Sequence, residues 1–231
     1  MHLAELWRYP VKSLRGEPLE VATLTEDGLV GDRIVHVRGK TGRPLTARTR
    51  PRLLGLFGTL GADGEPRING RPWQDPVSTD AIADAAGPGA RPVRYIGPER
   101  FDVLPLLVAT DGAIAALGHD PRRLRPNLLI AGVPGLAERI WPGKALQIGD
   151  ALIGIYSLRA RCIMTTIDPD TGAQNLDVLR RINREFDSKI ALDSWVARGG
   201  QVRIGDPAEL LDIQLPPPHA GGWVVGAPYP T

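Results

Sequence analysis

The sequence predicts a mainly β fold with a few helices, an α+β chain, and three observations carry that expectation. Short β-branched and apolar runs alternate with clusters of Gly, Pro, Asn and Asp along most of the length. The form hydrophobic-x-hydrophobic-Gly-Asp occurs twice, at Leu146-Gln147-Ile148-Gly149-Asp150 and Val202-Arg203-Ile204-Gly205-Asp206, as strands that end in tight turns do. Helical signal is confined to a short run at Ala113–Leu117 and one amphipathic stretch, where Leu176, Leu179, Ile182 and Phe186 recur opposite Arg180, Arg181 and Arg184.

At 231 residues the chain can bury one large core or two small ones. Its 28 Lys and Arg against 26 Asp and Glu leave a net charge of +2. That balance argues against a general nucleic-acid binder, while the clustering of arginines suits a small anionic ligand. A single cysteine excludes an internal disulfide, an in-chain iron–sulfur cluster and a Cys-rich zinc site. Any electrons the protein uses must then arrive from another protein. Met1 to Pro10 lacks a basic region followed by a long apolar run, and no stretch approaches the roughly 18 apolar residues of a membrane span. The expectation is a soluble, cytoplasmic protein without a membrane partner.

Residues 3 to 7 read as a first strand, stopped by Tyr9-Pro10-Val11-Lys12-Ser13-Leu14-Arg15-Gly16. Lys12 and Ser13 fall in that turn, as a phosphate cradle or as a solvated hairpin turn. Leu19 to Leu24 reads as one strand, and residues 28 to 37 as a turn and a second. Within them Arg33 either pairs with Asp32 or reaches an anion, and a guanidinium can grip phosphate in a bidentate way. His36 has no partner at metal-binding spacing and is assigned no chemistry. Thr46-Ala47-Arg48-Thr49-Arg50-Pro51-Arg52 is the densest basic run and reads as the approach to an anionic site, since no aromatics interleave it. Asp63-Gly64 and Asn69-Gly70 mark consecutive hairpins. Residues 76 to 92, poor in large apolars, read as a linker between two halves.

Beyond the linker, Val93–Ile96 and Leu106–Thr110 read as strands. Thr110 is then a candidate helix N-cap, which explains it without any ligand, although a strand ending at a helix N-terminus also suits an anion. Pro126 should hold Arg125 extended, so that Arg125 and Asn127 point the same way along a strand. They face a common ligand, or else Asn127 bonds the local backbone and Arg125 is solvated. Finally Leu152–Tyr156 and Ile163–Ile167 read as strands on either side of a loop, closing on Asp168-Pro169-Asp170-Thr171-Gly172. Cys162 stands just before the second. A lone cysteine is most often a small buried hydrophobe. Arg159 and Arg161 at i−3 and i−1 argue for a reactive thiol, because nearby cations raise the thiolate fraction.

The run Arg161-Cys-Ile-Met-Thr-Thr-Ile-Asp-Pro-Asp-Thr-Gly172 resembles the signature of the MOSC family, found at the C-terminus of molybdenum cofactor sulfurases and in the amidoxime-reducing molybdenum enzymes. Tyr9-Pro-Val-Lys-Ser13, Asp32-Arg33, Thr46-Ala-Arg48 to Leu53 and Arg125-Pro-Asn127 are similar to further landmarks of that family in the same order. The resemblance implies an N-terminal β-barrel-like region over residues 1–80, a MOSC β-barrel over 93–215 and an irregular tail over 216–231. It also implies that Lys12, Ser13, Arg33, Thr110, Asp111, Arg125, Asn127 and Arg161 hold a molybdenum–pterin cofactor. Cys162 would be both the metal ligand and the catalytic residue. The activity implied is reduction of N-hydroxylated small molecules with an external electron-donor protein. A non-catalytic cofactor carrier, or a persulfide sulfur carrier using the same cysteine, is equally compatible with the motif. No pyridoxal phosphate is expected, because the full sulfurases place that chemistry on a separate domain. Relatives carry Phe-Gly-x-Tyr or Phe-Gly-x-Asn where this chain has Ala191-Leu192-Asp193-Ser194, a departure on the substrate side.

Overall fold

The computed structural model describes residues 1–97 and 100–216. Its main sheet has eight strands in the order Ala208–Leu211, Ala145–Ile148, Ala151–Ala160, Lys189–Arg198, Leu106–Thr110, Leu128–Ala131, His2–Arg8, Glu17–Leu19. Neighbours are antiparallel except Leu106–Thr110 and Leu128–Ala131, which run parallel and are joined by a crossover through a short helix. Leu3 N donates to Asp206 O (2.9 Å), Gly205 N to Leu3 O (2.8 Å) and Ala208 N to Met1 O (3.0 Å). These bonds tie the first strand to the last, so seven of the strands close into a ring. Full closure leaves few free strand edges.

Inside the ring lie Leu3, Leu6, Leu106, Val108, Leu128, Ile130, Leu146, Ile153, Ile155 and Leu192, all buried. Truncating one of them to Ala would cost about 2–5 kcal/mol, since a closed barrel collapses poorly around a void. Three-stranded sheets flank it. Val21–Thr25 sits between Gly28–Leu29 and Gly200–Arg203, Val35–Arg38 between Arg91–Arg94 and Pro44–Leu45, and Pro66–Ile68 between Gly58–Leu60 and Arg71–Pro72. The expected hairpin is found at Asn69-Gly70, whose φ angles of 50° and 81° suit a tight mirror-type turn. A second core gathers Val11, Leu14, Val35, Val37, Leu53, Ile68 and Ile82, and it also takes Ile167 from beyond the cysteine.

Several expectations need correction. The strand anticipated over Leu19 to Leu24 breaks at Glu20, with Glu17–Leu19 pairing to the first strand and Val21–Thr25 to Gly200–Arg203. The linker over 76 to 92 contains a helix, α1 (Pro76–Ala86), with Asp75 accepting from Val77 N at 2.8 Å and Pro76 at the first turn. Ile82 and Ala86 bury it against the second core, so small residues sufficed for packing where large ones seemed necessary. The other helices are α2 (Asp111–Leu117) and α3 (Leu176–Glu185). They pack through Ala113, Leu117, Val178, Ile182 and Phe186, while Leu176, placed on the apolar face from its spacing, is exposed. Arg181 donates to Leu117 O (2.9 Å) and Ala116 O (3.0 Å), so this arginine caps α2. The tail over 216–231 lies outside the described residues from 217 onward. Among the described residues no helix is long and apolar enough to cross a membrane.

Candidate functional site

Where the ten-residue strand Ala151–Ala160 ends, the chain passes through Arg161 and Cys162 into a 3₁₀ turn, Ile163–Thr166. The second strand expected here does not form. Thr165 turns back to bond Cys162 O through its N–H (3.1 Å) and its hydroxyl (2.9 Å), and the Thr166 hydroxyl bonds Ile163 O (2.6 Å). Such local side-chain bonds compete with a ladder and win for adjacent threonines. They leave Cys162 half-buried at a cavity of about 110 Å³ in the seam between barrel and second core.

Seven cationic side chains line that cavity, Lys12, Arg33, Arg48, Arg123, Arg125, Arg159 and Arg161, against two carboxylates, Asp102 and Asp193. Asp102 is the hub of the cluster. Its oxygens lie 2.9 Å from Lys12 Nζ, 3.1 Å from Arg48 Nη2 and 3.4 Å from Arg159 Nη2. Burial alone would raise the Asp102 pKa, but Lys12, Arg48 and Arg159 together hold it well below the usual carboxylate range. Asp193 is pushed the other way, upward by burial, with Arg159 at 2.9 Å only partly opposing. Burial also lowers Lys12, which Asp102 offsets in part. Two carboxylates of one cavity are thus driven apart by their surroundings.

A second group of bonds fixes the arginines. The Asp32 carboxylate accepts from Tyr9 N (2.7 Å), from Asn127 Nδ2 (3.3 Å) and from the Arg33 guanidinium. Asn127 also donates to Trp7 O (3.2 Å), and its Oδ1 accepts from Leu107 N (3.2 Å) and Arg33 Nη1 (3.5 Å). Arg33 and Arg125 stack on the Tyr9 ring at 5.0 and 4.2 Å. Burial pushes the Tyr9 hydroxyl up to about 12, and it donates to Pro126 O (3.1 Å). Burial likewise pulls Arg125 down to about 10, which leaves it cationic at neutral pH. Arg161 donates to Leu124 O (2.6 Å), and its buried Nε has no partner.

Lys12, Ser13, Arg33, Arg125, Asn127, Arg161 and Cys162 therefore come together, as their sequence motifs implied. Their roles divide, however. The Ser13 hydroxyl accepts from Ala47 N (3.0 Å) and Asn127 is fully engaged, so both position the walls. Arg125 is not extended as Pro126 suggested. Its φ is 59°, and the strand begins only at Leu128. Thr110 and Asp111 do not line the cavity. Thr110 accepts from Ala113 N (3.2 Å) as the cap of α2 and donates to Glu138 (3.3 Å), while Asp111 accepts from Gly132 N (2.8 Å) and Val133 N (3.0 Å). The capping explanation holds for that strand end.

Sequence reasoning missed Asp102 and Arg123 as cavity residues. Arg123 pairs with Asp168 at 2.7 Å. Asp102 belongs to a stretch without periodicity, and the one available signal was the surplus of arginines needing a counter-charge. Asp193 was visible only as a departure from a family pattern.

Residues 1–70 match the MOSC N-terminal beta barrel domain, and residues 109–209 match the MOSC domain. The chain belongs to the MOSC family. Both MOSC segments contribute cations to the cavity, Lys12, Arg33 and Arg48 from the first and Arg123, Arg125, Arg159 and Arg161 from the second. Asp102 lies between the two matched segments. Similar curated proteins include the Homo sapiens mitochondrial amidoxime-reducing component 1, 26% identical over 282 aligned positions that cover 90% of this chain and 82% of the relative. The Homo sapiens component 2 is also 26% identical, covering 89% of this chain and 82% of its own. Among solved structures, the YUAD protein of Bacillus subtilis aligns over 92% of this chain and 97% of its own at 13% identity and a TM-score of 0.48.

The donor set fits an anionic cofactor that brings a soft metal. One thiol faces a cavity whose cations outnumber its acids, and the orphaned Arg161 Nε is a donor awaiting an acceptor. Among the described residues no three His, Cys, Asp or Glu gather as a metal-binding group, so a metal at Cys162 would draw fewer than three such ligands from the described residues.

Proposed function

We propose that this chain is a molybdenum-cofactor reductase of N-hydroxylated compounds, acting with an external electron-donor protein. The observation that carries this reading is the meeting of Cys162 with seven cationic side chains in one seam cavity, in a chain similar to proteins named for amidoxime reduction. Lys12, Arg33, Arg125 and Arg161 would hold the phosphate and pterin of the cofactor, and Cys162 would give one thiolate to its metal. Ser13, Asp32 and Asn127 keep the walls in register. When bound, the cofactor supplies the two-electron chemistry. The overall reaction takes R–C(NH₂)=N–OH with two electrons and two protons to R–C(NH₂)=NH and water, breaking the N–O bond.

The test is molybdenum content and pterin release on wild type and Cys162→Ser from a cofactor-producing host, with amidoxime reduction by an artificial donor. Near-stoichiometric cofactor and turnover in wild type, lost in the variant, support the reading. Cofactor without turnover would favour a carrier instead, and neither metal nor pterin would overturn the assignment of Cys162.

A further inference from the structure

Several exposed arginines of this chain are matched by acids. Arg94 pairs with Glu65 (2.8 Å), Arg180 with Asp177 (2.8 Å) and Arg184 with Glu185 (2.6 Å). One corner of the molecule departs from this. The strand Val35–Arg38 returns through a hairpin to Pro44–Leu45, closed by Gly39 N donating to Arg43 O (2.9 Å), and Arg91–Arg94 flanks it on the other side. Arg38 and Arg91 stand directly opposite each other across the strands, and Lys40 lies against Gly89, two residues before Arg91. Like charges in that position cost stability, so folding alone gives no reason for the pair. Lys40, Arg43 and Arg91 are exposed, and among the described residues no carboxylate lies within 4 Å of these three or of Arg38.

A continuous chain of packed groups runs from this corner to the Cys162 cavity. The Arg38 guanidinium stands 5.6 Å over the Tyr95 ring, which lies 5.0 Å from the His36 ring. His36, Pro44, Leu45 and Thr46 wall a small space of about 10 Å³ together with Lys12. Lys12 and Thr46 also line the cavity of the thiol. Arg43 precedes Thr46 by three residues, at most about 11 Å of extended chain. A protein seated on the hairpin therefore approaches the cavity without entering it.

We propose that the corner formed by Arg38, Lys40, Arg43 and Arg91 docks the electron-donor protein through an acidic patch on that partner. This rests on the reductase reading and adds where its electrons arrive. Four cations without an acid of their own attract a carboxylate-lined surface and steer its approach. The hairpin carries Gly39, Thr41 and Gly42 between its cations, so it has no large apolar side chain to enter a lipid layer. No exposed aromatic stands among these cations to stack a base, which sets the corner apart from a single-strand nucleic-acid site.

Oxidised flavodoxin, an acidic electron-carrier protein, is the probe, titrated calorimetrically into the purified full chain at low salt. Wild type should bind it, and raising the salt to about 0.2 M should weaken binding at least about tenfold. Lys40→Glu combined with Arg43→Glu should weaken it about tenfold to a hundredfold. Arg180→Glu combined with Arg184→Glu, the same change of charge placed on α3, should have little effect. Thermal melts confirm that the variants fold, and Lys40→Gln with Arg43→Gln supplies the same comparison should the reversed pair not fold. No binding of flavodoxin by wild type, or equal weakening by the hairpin and α3 variants, would overturn the docking corner. Tighter hairpin-dependent retention of a short DNA duplex or of phosphatidylserine vesicles than of flavodoxin would overturn the class of partner. Amidoxime reduction driven by reduced methyl viologen, which needs no docking surface, separates the two claims. Turnover without flavodoxin binding removes the docking corner and leaves the reductase reading standing. Hairpin-dependent binding without turnover by the molybdenum-loaded protein keeps an acidic-protein dock and removes the reductase reading.

Discussion

Replacing Asp102 with Asn removes one negative charge from a cluster of three cations while keeping its shape. Its contacts of 2.9, 3.1 and 3.4 Å would each be worth about 5 kcal/mol by Coulomb's law at an effective dielectric of about 20, a ceiling before desolvation is subtracted. Breaking a buried ion pair by removing one partner costs about 3–5 kcal/mol. The Asp102 side chain is 28% exposed and Arg48 36%, so solvent screens part of this. The expected loss is about 2–3 kcal/mol at pH 7, read from the urea midpoint at an unchanged slope. Since folding depresses the Asp102 pKa, its contribution is fully present above the unfolded carboxylate value near 4 and is lost as pH falls toward the folded value. The gap between wild type and variant should hold from pH 8 to 5 and narrow below about 4. Inorganic phosphate should stabilise Asp102→Asn more than wild type. A variant within about 0.5 kcal/mol of wild type at pH 7 would refute the hub role.

Other consequences are equally direct. His36 is buried, and burial first, then Lys12 and Arg38, push its pKa down to about 3. The folded state stays neutral while the unfolded chain takes up a proton near pH 6.5, so stability should fall by up to about 1.4 kcal/mol per pH unit below that value; His36→Gln should flatten the slope, and an unchanged slope would disprove it. Thr110→Val should cost about 1 kcal/mol through the lost cap of α2 and leave cofactor content unaltered by elemental analysis; a drop in bound molybdenum in the folded variant would return Thr110 to the site. Gly154→Ala should cost about 1–3 kcal/mol in chemical denaturation, because its Cβ would meet the Trp195 ring at 2.2 Å; a neutral effect would mean that the ring moves freely.

Strands were legible wherever alternation ended in a named turn, as at Asn69-Gly70 or Gly149-Asp150, because one local preference decided the outcome. Ile163–Thr166 misled for the converse reason. Its β-branched residues suit a strand, but two threonine hydroxyls found backbone acceptors within three residues and closed a turn instead. α1 escaped notice because Ala and Ile82 pack a helix with little hydrophobic bulk. At the site, residues inside short motifs were readable, while Asp102 was not, since a counter-charge is defined by where the chain brings it and not by its neighbours in sequence. Asn127 was readable as important and misread in role, as the same amide can face a ligand or knit three strands.

The bonds from Met1 and Leu3 to residues 205–208 have a bearing on how the molecule is made. During synthesis the Met1–Leu3 end of the first strand lacks its partner on that side until residues 205–208 emerge, some two hundred residues later. Closure is thus a late event of high contact order, expected to be slow, and the growing chain carries an open edge until then. Until residues 205–208 are made, that edge is a place where the nascent polypeptide can pair with a foreign strand and aggregate.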